Sequence, residues 1–337
     1  NDFGNTFFSK LLNVYVDGNI GMPAIEIMII STILKKNNSV HYTRNINDKE
    51  IEDSDFIILP ASIIAHETEI EALLKLSHKK IFVTGIFATT MKEKYLTENS
   101  IVVKNESDTF FYNIEKSNNL NLDFLNNLFN NKDLINDFYS PVSLDDLPYP
   151  DWADYTKKYP LRNDFFSLNQ KIAVPLLGTR GCPYSCFFYC TYPLQQGRKV
   201  RARSVENIID EIKYWKKELG TNKFVFRDPV FSINRKHTIE FCKQVIDQKL
   251  NITFMVETHL NNLDDEMIPL LRKAGLELVY VGVESSSHFV LKDMKRFTVE
   301  QDKQFQVIKK CEDSGIKVKT MFIIGNPEDT RDTIMQS

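Results

Sequence analysis

From Ile172 onward, short apolar runs and amphipathic stretches take turns five times, and this alternation restricts the second half of the chain to a parallel α/β architecture. Ile172–Leu177, Lys223–Phe226, Ile252–Glu257, Leu276–Val283 and Lys317–Ile324 read as strands. Ser204–Leu219, His237–Gln248, Asp264–Ala274 and Val299–Ser314 carry apolar residues at helical spacing, and a further helix starts near Glu328. Ser204 is a good N-cap and Gly220 a natural stop for the first of these helices. Parallel strands joined by right-handed crossovers build a (β/α) barrel, here cut off before closure. Chemistry in such barrels collects at the carboxyl ends of the strands.

The first strand leads straight into G-C-P-Y-S-C-F-F-Y-C, residues 181–190. Cys182, Cys186 and Cys190 are three of only five cysteines, an odd and clustered set that does not read as a disulfide framework. Structural zinc asks for four closed ligands, and its cysteines usually come in C-x₂₋₄-C pairs. No histidine lies near the cluster: the first one downstream is His237, while Cys242 and Cys311 fall inside helices as buried residues. A [4Fe–4S] cluster fits three thiolates better, because its fourth iron then keeps an open position for a substrate or cofactor. A zinc site and chemically inert thiols are the alternatives.

The first half also alternates. Leu12–Val16, Ser39–Tyr42, Phe56–Leu59, Lys80–Thr84 and Ile101–Val103 read as strands, with helices over Pro23–Lys36 and Glu67–Leu76. The pattern predicts a doubly wound, Rossmann-like parallel sheet, with ligand-binding loops at P-A-S (60–62), T-G-I-F-A-T-T (84–90) and N-E-S-D (105–108). No G-x-G-x-x-G follows the first strand, so a dinucleotide site is not supported. Leucine and phenylalanine at helical spacing within 116–145 predict a small helix, and L-D-D-L-P-Y-P-D-W (144–152) marks an extended linker. The expected organisation is a first domain over 1–143, a linker over 144–170 and the barrel over 171–337.

A net charge of −3 argues against an overall electrostatic nucleic-acid surface. No apolar run reaches membrane-spanning length, and the N-terminus carries no basic-then-apolar export signal, so a cytoplasmic protein is expected. The chain begins at Asn1 and stops inside a helical pattern, which reads as a fragment.

The motifs of the second half, taken together, resemble those of the radical S-adenosylmethionine (SAM) enzymes. G-T-R-G-C-P-Y-S-C (178–186) is similar to that family's loop after the first strand. F-V-F-R-D-P-V-F (224–231), K-A-G-L-E-L-V-Y-V-G-V-E-S (273–285) and S-G-I-K-V-K-T-M-F-I-I-G-N-P-E-D-T (314–330) resemble its second, fourth and fifth strand segments. The fold class expected is therefore α/β, a Rossmann-like sheet followed by a partial (β/α)₆ radical SAM barrel. One departure stands out: the family's C-x₃-C-x₂-C is C-x₃-C-x₃-C here, with an extra residue within F-F-Y (187–189). A damaged, inactive copy is the bland alternative.

The resemblance implies that Cys182, Cys186 and Cys190 hold a [4Fe–4S] cluster whose open iron binds SAM, and that reductive cleavage yields a 5′-deoxyadenosyl radical. It places Tyr189 against the adenine, Glu284 at the ribose or amino end with Ser285 beside it, and Gly325 and Pro327 in the turn beneath adenine. Asp228 and Arg227 would face SAM or substrate, with Pro229 and Phe231 shaping their turn. Glu257 and His259 are substrate candidates against a structural role. The architecture resembles the cobalamin-binding radical SAM class, in which Ser62, Gly85 and Thr89 would contact cobalamin, although no D-x-H-x-x-G supplies a lower cobalt ligand.

The function implied is cobalamin-dependent methyl transfer to an unactivated carbon. Cyclisation or rearrangement without cobalamin is the alternative enzyme, and a non-catalytic cobalamin or Fe–S module the alternative of another class. A tRNA methylthiotransferase is disfavoured, since its N-terminal domain carries three cysteines of its own. Expected partners are a small-molecule, lipid or peptide substrate and an electron donor such as ferredoxin or flavodoxin; neither nucleic acid nor a membrane span is expected.

Overall fold

The computed structural model describes residues 24–63, 65–159, 173–186, 189–297 and 300–337. The chain divides into two compact units, Asn1–Ile172 and Ala173–Ser337. Among the described residues no helix is long and apolar enough to cross a membrane.

The first unit is built on strands β1 (Phe56–Pro60), β2 (Lys80–Thr84) and β3 (Ser100–Val102), parallel and in the order β1-β2-β3. Side chains of β2 alternate between two cores, which is what a sheet covered on both faces requires. Phe82 joins Phe110, Phe111, Phe129 and Ile33 on one face, whereas Ile81 and Val83 join Leu73, Ala88 and Tyr95 on the other. The helices Ile25–Leu34 and Ser107–Lys116 cover the first face, and His66–Lys75 the second.

Several expectations change here. Ser39–Tyr42 is not a strand; Tyr42 instead turns its hydroxyl to Asp151 and to Ser31 Oγ (2.6 Å). The expected strand Leu12–Val16 lies outside the described residues. The small helix within 116–145 is Leu122–Asn130, capped by Asn121, whose Oδ1 accepts from the Phe124 N–H at 2.9 Å. Residues 144–159 are packed rather than extended free: Thr32 Oγ1 donates to the Tyr149 carbonyl (2.7 Å), the Asp151 N–H to Met28 O (3.0 Å), and Trp152 is fully buried.

The second unit carries β4 (Val174–Leu176), a short antiparallel pair β5 (Thr179–Arg180) and β6 (Arg201–Ala202), then β7 (Lys223–Phe226), β8 (Thr253–Thr258), β9 (Leu276–Glu284) and β10 (Lys317–Phe322). Its main sheet is parallel throughout, in the order β10-β9-β8-β7-β4. Helices Val205–Leu219, Arg235–Asp247, Met267–Ala274 and Gln301–Asp313 make the crossovers. Ser204 caps the first of them by accepting from the Asn207 N–H, and Gly220 ends it in the left-handed conformation. Phe226, Phe231, Phe241 and Phe254 pack edge-to-face and tilted, 4.8–6.0 Å apart, and lock β7 and β8 to the helix Arg235–Asp247. Cys242 and Cys311 are buried, as expected, and burial pushes their thiols up to about 12 and about 11.

Candidate active site

The main site candidates of the second half sit at or just beyond a strand's carboxyl end: the cysteine loop after β4, Asp228 after β7, His259 after β8, Glu284 at the end of β9, and Gly325 after β10. Adjacent strands carry these ends side by side, with Leu176 paired to Phe226 and Phe322 to Glu284.

The cysteine loop is fixed from below by Asp228. This carboxylate is buried; its Oδ1 accepts from the Gly178 N–H (2.8 Å) and its Oδ2 from the Thr179 hydroxyl (2.7 Å). Burial pushes it up to about 7, against the pull of those same hydrogen bonds. The geometry therefore makes Asp228 a tie between β7 and the start of the loop. Arg203 adds a second tie, giving its N–H to Gly178 O (2.9 Å) and its guanidinium to Leu177 O (3.2 Å) and to the buried Glu211.

Cys182 is buried; Cys186 and Cys190 are half-buried. Burial pushes the Cys182 and Cys190 thiols up, and repulsion from the neighbouring thiols adds to it; N–H groups of Tyr184 and Tyr192 and the Arg296 cation pull the other way. Arg296 is the residue that the sequence did not announce. Its side chain is largely buried; Nη1 donates to Cys186 Sγ (3.6 Å), Nη2 donates to Gly282 O (2.5 Å) and stands 3.7 Å from Glu284 Oε1.

Glu284 holds a left-handed backbone conformation, φ 67°, which a non-glycine residue adopts only under strain. Its carbonyl accepts from the Ile323 N–H at 2.9 Å, while burial pushes its carboxyl up and Arg296 draws it down. Gly282 lies beside it: a Cβ there would meet Glu284 Oε1, so a larger residue would make that carboxylate shift. Ser285 is buried, and its Oγ accepts from the Ser287 N–H (3.1 Å).

Tyr189 packs on Val290, Leu291 and Met294, as does Ile323. Burial and a bond to Cys186 push its phenol up. Of the F-F-Y stretch (187–189) that holds the extra residue, Phe187 and Phe188 lie outside the described residues. Gly325 (φ 96°) and Pro327 are exposed, and between them lies Asn326, a second residue missed in the sequence. Asn326 is buried, and its Oδ1 has no hydrogen-bond partner among the described residues.

Two substrate candidates prove to be tied to the protein itself. Arg227 pairs with Glu257 at 2.9 Å. His259 is buried, which lowers it to about 4 and keeps the ring neutral. Its Nδ1 accepts from the Asn261 N–H (3.2 Å) and its Nε2 donates to the Phe297 carbonyl (3.3 Å), so it pins the segment that carries Arg296.

In the first unit, Ser62 follows β1 and Gly85 and Thr89 follow β2. The buried Glu69 accepts from Ser62 N (2.8 Å) and Ser62 Oγ (3.0 Å), and Thr89 Oγ1 donates to Gly85 O (3.1 Å). Gly85 has φ 101°, and a Cβ on it would overlap Ala61 O.

A family model described as the radical SAM superfamily matches residues 176–337, which include every one of the strand-end residues of the second unit. Residues 176–337 belong to the radical SAM superfamily. The anaerobic magnesium-protoporphyrin IX monomethyl ester cyclase of Rubrivivax gelatinosus is 32% identical over 193 residues, 56% of this chain and 33% of that protein. The chain spans about a third to a half of the length of the first curated relatives it matches. The radical SAM methyltransferase TsrM from Kitasatospora setae, solved with cobalamin and a [4Fe–4S] cluster, superposes with a TM-score of 0.63 at 13% identity, over 94% of this chain and 69% of that one. The cobalamin-dependent radical enzyme OxsB, solved with aqua-cobalamin and SAM, gives 0.65 at 16% identity, over 93% and 48%. At these identities the superpositions show a shared fold, a Rossmann-like α/β unit followed by a second parallel α/β unit.

A radical SAM domain implies a [4Fe–4S] cluster and SAM. The donor set fits the cluster: three thiols share one loop, act electrostatically on one another, and have a buried guanidinium beside them. Among the described residues no three His, Cys, Asp or Glu side chains are grouped so as to enclose a single metal ion.

Proposed function

We propose that this chain is a radical SAM enzyme whose Cys182, Cys186 and Cys190 hold the [4Fe–4S] cluster, and that it transfers a methyl group to an unactivated carbon with cobalamin in its first unit. The observation that carries the reading is the convergence of the cysteine loop, Arg296 and the strained Glu284 at neighbouring strand ends. Bound there, the cluster and SAM supply one-electron cleavage of a sulfonium carbon–sulfur bond, and cobalamin supplies a methyl carrier.

The protein's own residues prepare that chemistry. Asp228 and Arg203 hold the loop on the sheet. Arg296 offsets the negative charge of the thiolates and draws the Glu284 carboxyl down against the rise that burial imposes. The Glu284 carboxylate and Ser285 take the amino or ribose end of SAM. Tyr189 and the turn Gly325–Pro327 take its adenine, over the apolar bed that Tyr189 and Ile323 form with Leu291. The unpaired Asn326 Oδ1 is the kind of buried acceptor that a ligand N–H or O–H satisfies.

A second reading, ring closure without cobalamin, is favoured by one observation: the hydroxyls of Ser62 and Thr89 are committed within the first unit rather than offered outward. The 32% identical relative is, by its name, a cyclase. Anaerobic reconstitution with iron and sulfide, and then addition of SAM and a strong reductant, tests the common part. Release of 5′-deoxyadenosine is expected; a protein that holds a cluster and releases none overturns it. S-adenosylhomocysteine formed alongside, with cobalamin visible in the absorption spectrum, decides for methyl transfer over ring closure.

A further inference from the structure

The segment G-R-K-V-R-A-R (197–203) holds four cations and no acid in a chain whose net charge is −3. Its fold places it directly against the cysteine loop. The pair β5–β6 brings the chain back along that loop, where the Cys182 N–H donates to Gly197 O (3.1 Å) and the Gly181 N–H to Gln196 Oε1 (3.1 Å). Gly181 (φ 89°) lies so close to the Lys199 carbonyl that no Cβ fits between them. Arg198 crosses the loop and donates to the Tyr184 carbonyl (2.8 Å), and its charge acts on the Cys182 thiol.

The four cations do not share one role. Arg203 is turned inward to Glu211. Arg201 is half-buried and donates to Gln196 O (3.3 Å). Arg198 and Lys199 are exposed, as are Pro183 and Ser185 of the cysteine loop, and Leu194 keeps 58% of its surface in solvent. Arg198 ties the loop through one hydrogen bond, yet its charge and that of Lys199 stay at the surface next to the loop that carries the thiols, with the exposed Leu194 four residues earlier in the chain.

We propose that the face made by Leu194, Arg198 and Lys199 docks a small, acidic, low-potential electron-carrier protein. The inference rests on the cluster reading under Proposed function. A cluster that must be reduced needs its donor close by, and opposite charge both steers the encounter and fixes its orientation. The step is one electron only: the reduced carrier loses one, the cluster gains one, and no proton or group moves.

The test uses the full chain, reconstituted anaerobically, with a chemically reduced acidic flavodoxin as the probe. Lys199→Glu and the pair Leu194→Glu with Lys199→Glu are compared with the unaltered protein, and each is also reduced with dithionite to its end point. The docking surface predicts that the bimolecular rate with flavodoxin falls about tenfold in the double variant and severalfold in Lys199→Glu. The unaltered protein should lose rate between low and high salt, while the double variant shows little salt dependence. Dithionite should reduce the same fraction of cluster in all three. Variants that keep a dithionite-reducible cluster and accept electrons from flavodoxin at the unaltered rate overturn the docking surface. An unaltered protein with no dithionite-reducible cluster overturns the cluster reading instead.

Discussion

Glu284 combines a positive φ, a buried carboxylate and the Arg296 cation. A left-handed non-glycine residue costs about 1–2 kcal/mol, and such strain persists where the surrounding structure enforces it for use. Glycine at 284 would relieve the strain, whereas alanine would keep it. Both variants leave Arg296 without its carboxylate, so the difference between them isolates the backbone. Glu284→Gly should therefore unfold at higher denaturant than Glu284→Ala, by about 1 kcal/mol. SAM affinity, measured by equilibrium dialysis on cluster-loaded protein, should fall at least about tenfold in both. Equal affinity to the unaltered protein would remove Glu284 from the site. At this scale the sequence was informative where a motif ended a strand, as at Glu284 and the cysteines. It was silent on Arg296, which sits in M-K-R-F-T (294–298) and looks like ordinary surface charge. Only tertiary folding buries that guanidinium against Gly282 O and Cys186 Sγ.

Among elements, the decisive join is between the loop after β4 and the end of β7. Asp228 makes it, and removing the side chain leaves the Gly178 N–H and the Thr179 hydroxyl buried without an acceptor, at about 1–3 kcal/mol. Asp228→Ala should lower both stability and the iron retained after desalting. The pH dependence carries a definite sign. The folded-state carboxyl is raised to about 7, above its ordinary value, so its contribution is full below about pH 4 and is lost as pH rises through about 7. Denaturant unfolding across that window should show the unaltered protein losing a few kcal/mol relative to Asp228→Asn, whose side chain does not titrate. A parallel pair of pH curves would mean that Asp228 is not the buried acid that this geometry makes it.

Strands flanked by clear stop signals, such as Lys80–Thr84 and Lys223–Phe226, were legible to the residue. Ser39–Tyr42 was misread because Tyr42 is held by hydrogen bonds to Asp151 and Ser31, partners that a local run does not announce, and the helix Ser107–Lys116 was missed because its first two residues read as the end of the loop N-E-S-D (105–108). That helix is held by Phe110, Phe111 and Ile114 in the core, a tertiary effect that propensity does not carry.

At the scale of the whole molecule the chain forms two compact units. The two cores around β2 draw their residues from Ile25 to Leu147, and the cysteine loop lies in the other compact unit. Folding of the first unit therefore does not depend on the thiols or on what they hold. If cobalamin binds at the carboxyl ends of β1 and β2, its uptake should be independent of the cluster. A variant with Cys182, Cys186 and Cys190 all changed to Ala should take up cobalamin to the same stoichiometry as the unaltered protein, read from the visible spectrum after gel filtration. It should hold no iron above background and form no 5′-deoxyadenosine. Gly85→Ala should do the reverse: its Cβ would overlap the Ala61 carbonyl and strain φ 101°, displacing the loops after β1 and β2. That variant should lose cobalamin while still reducing its cluster and cleaving SAM. Loss of cobalamin in the cysteine variant would couple the two units, and loss of SAM cleavage in Gly85→Ala would couple them in the other direction. An unaltered protein that takes up no cobalamin, yet cleaves SAM, would assign the chain to the ring-closing reading.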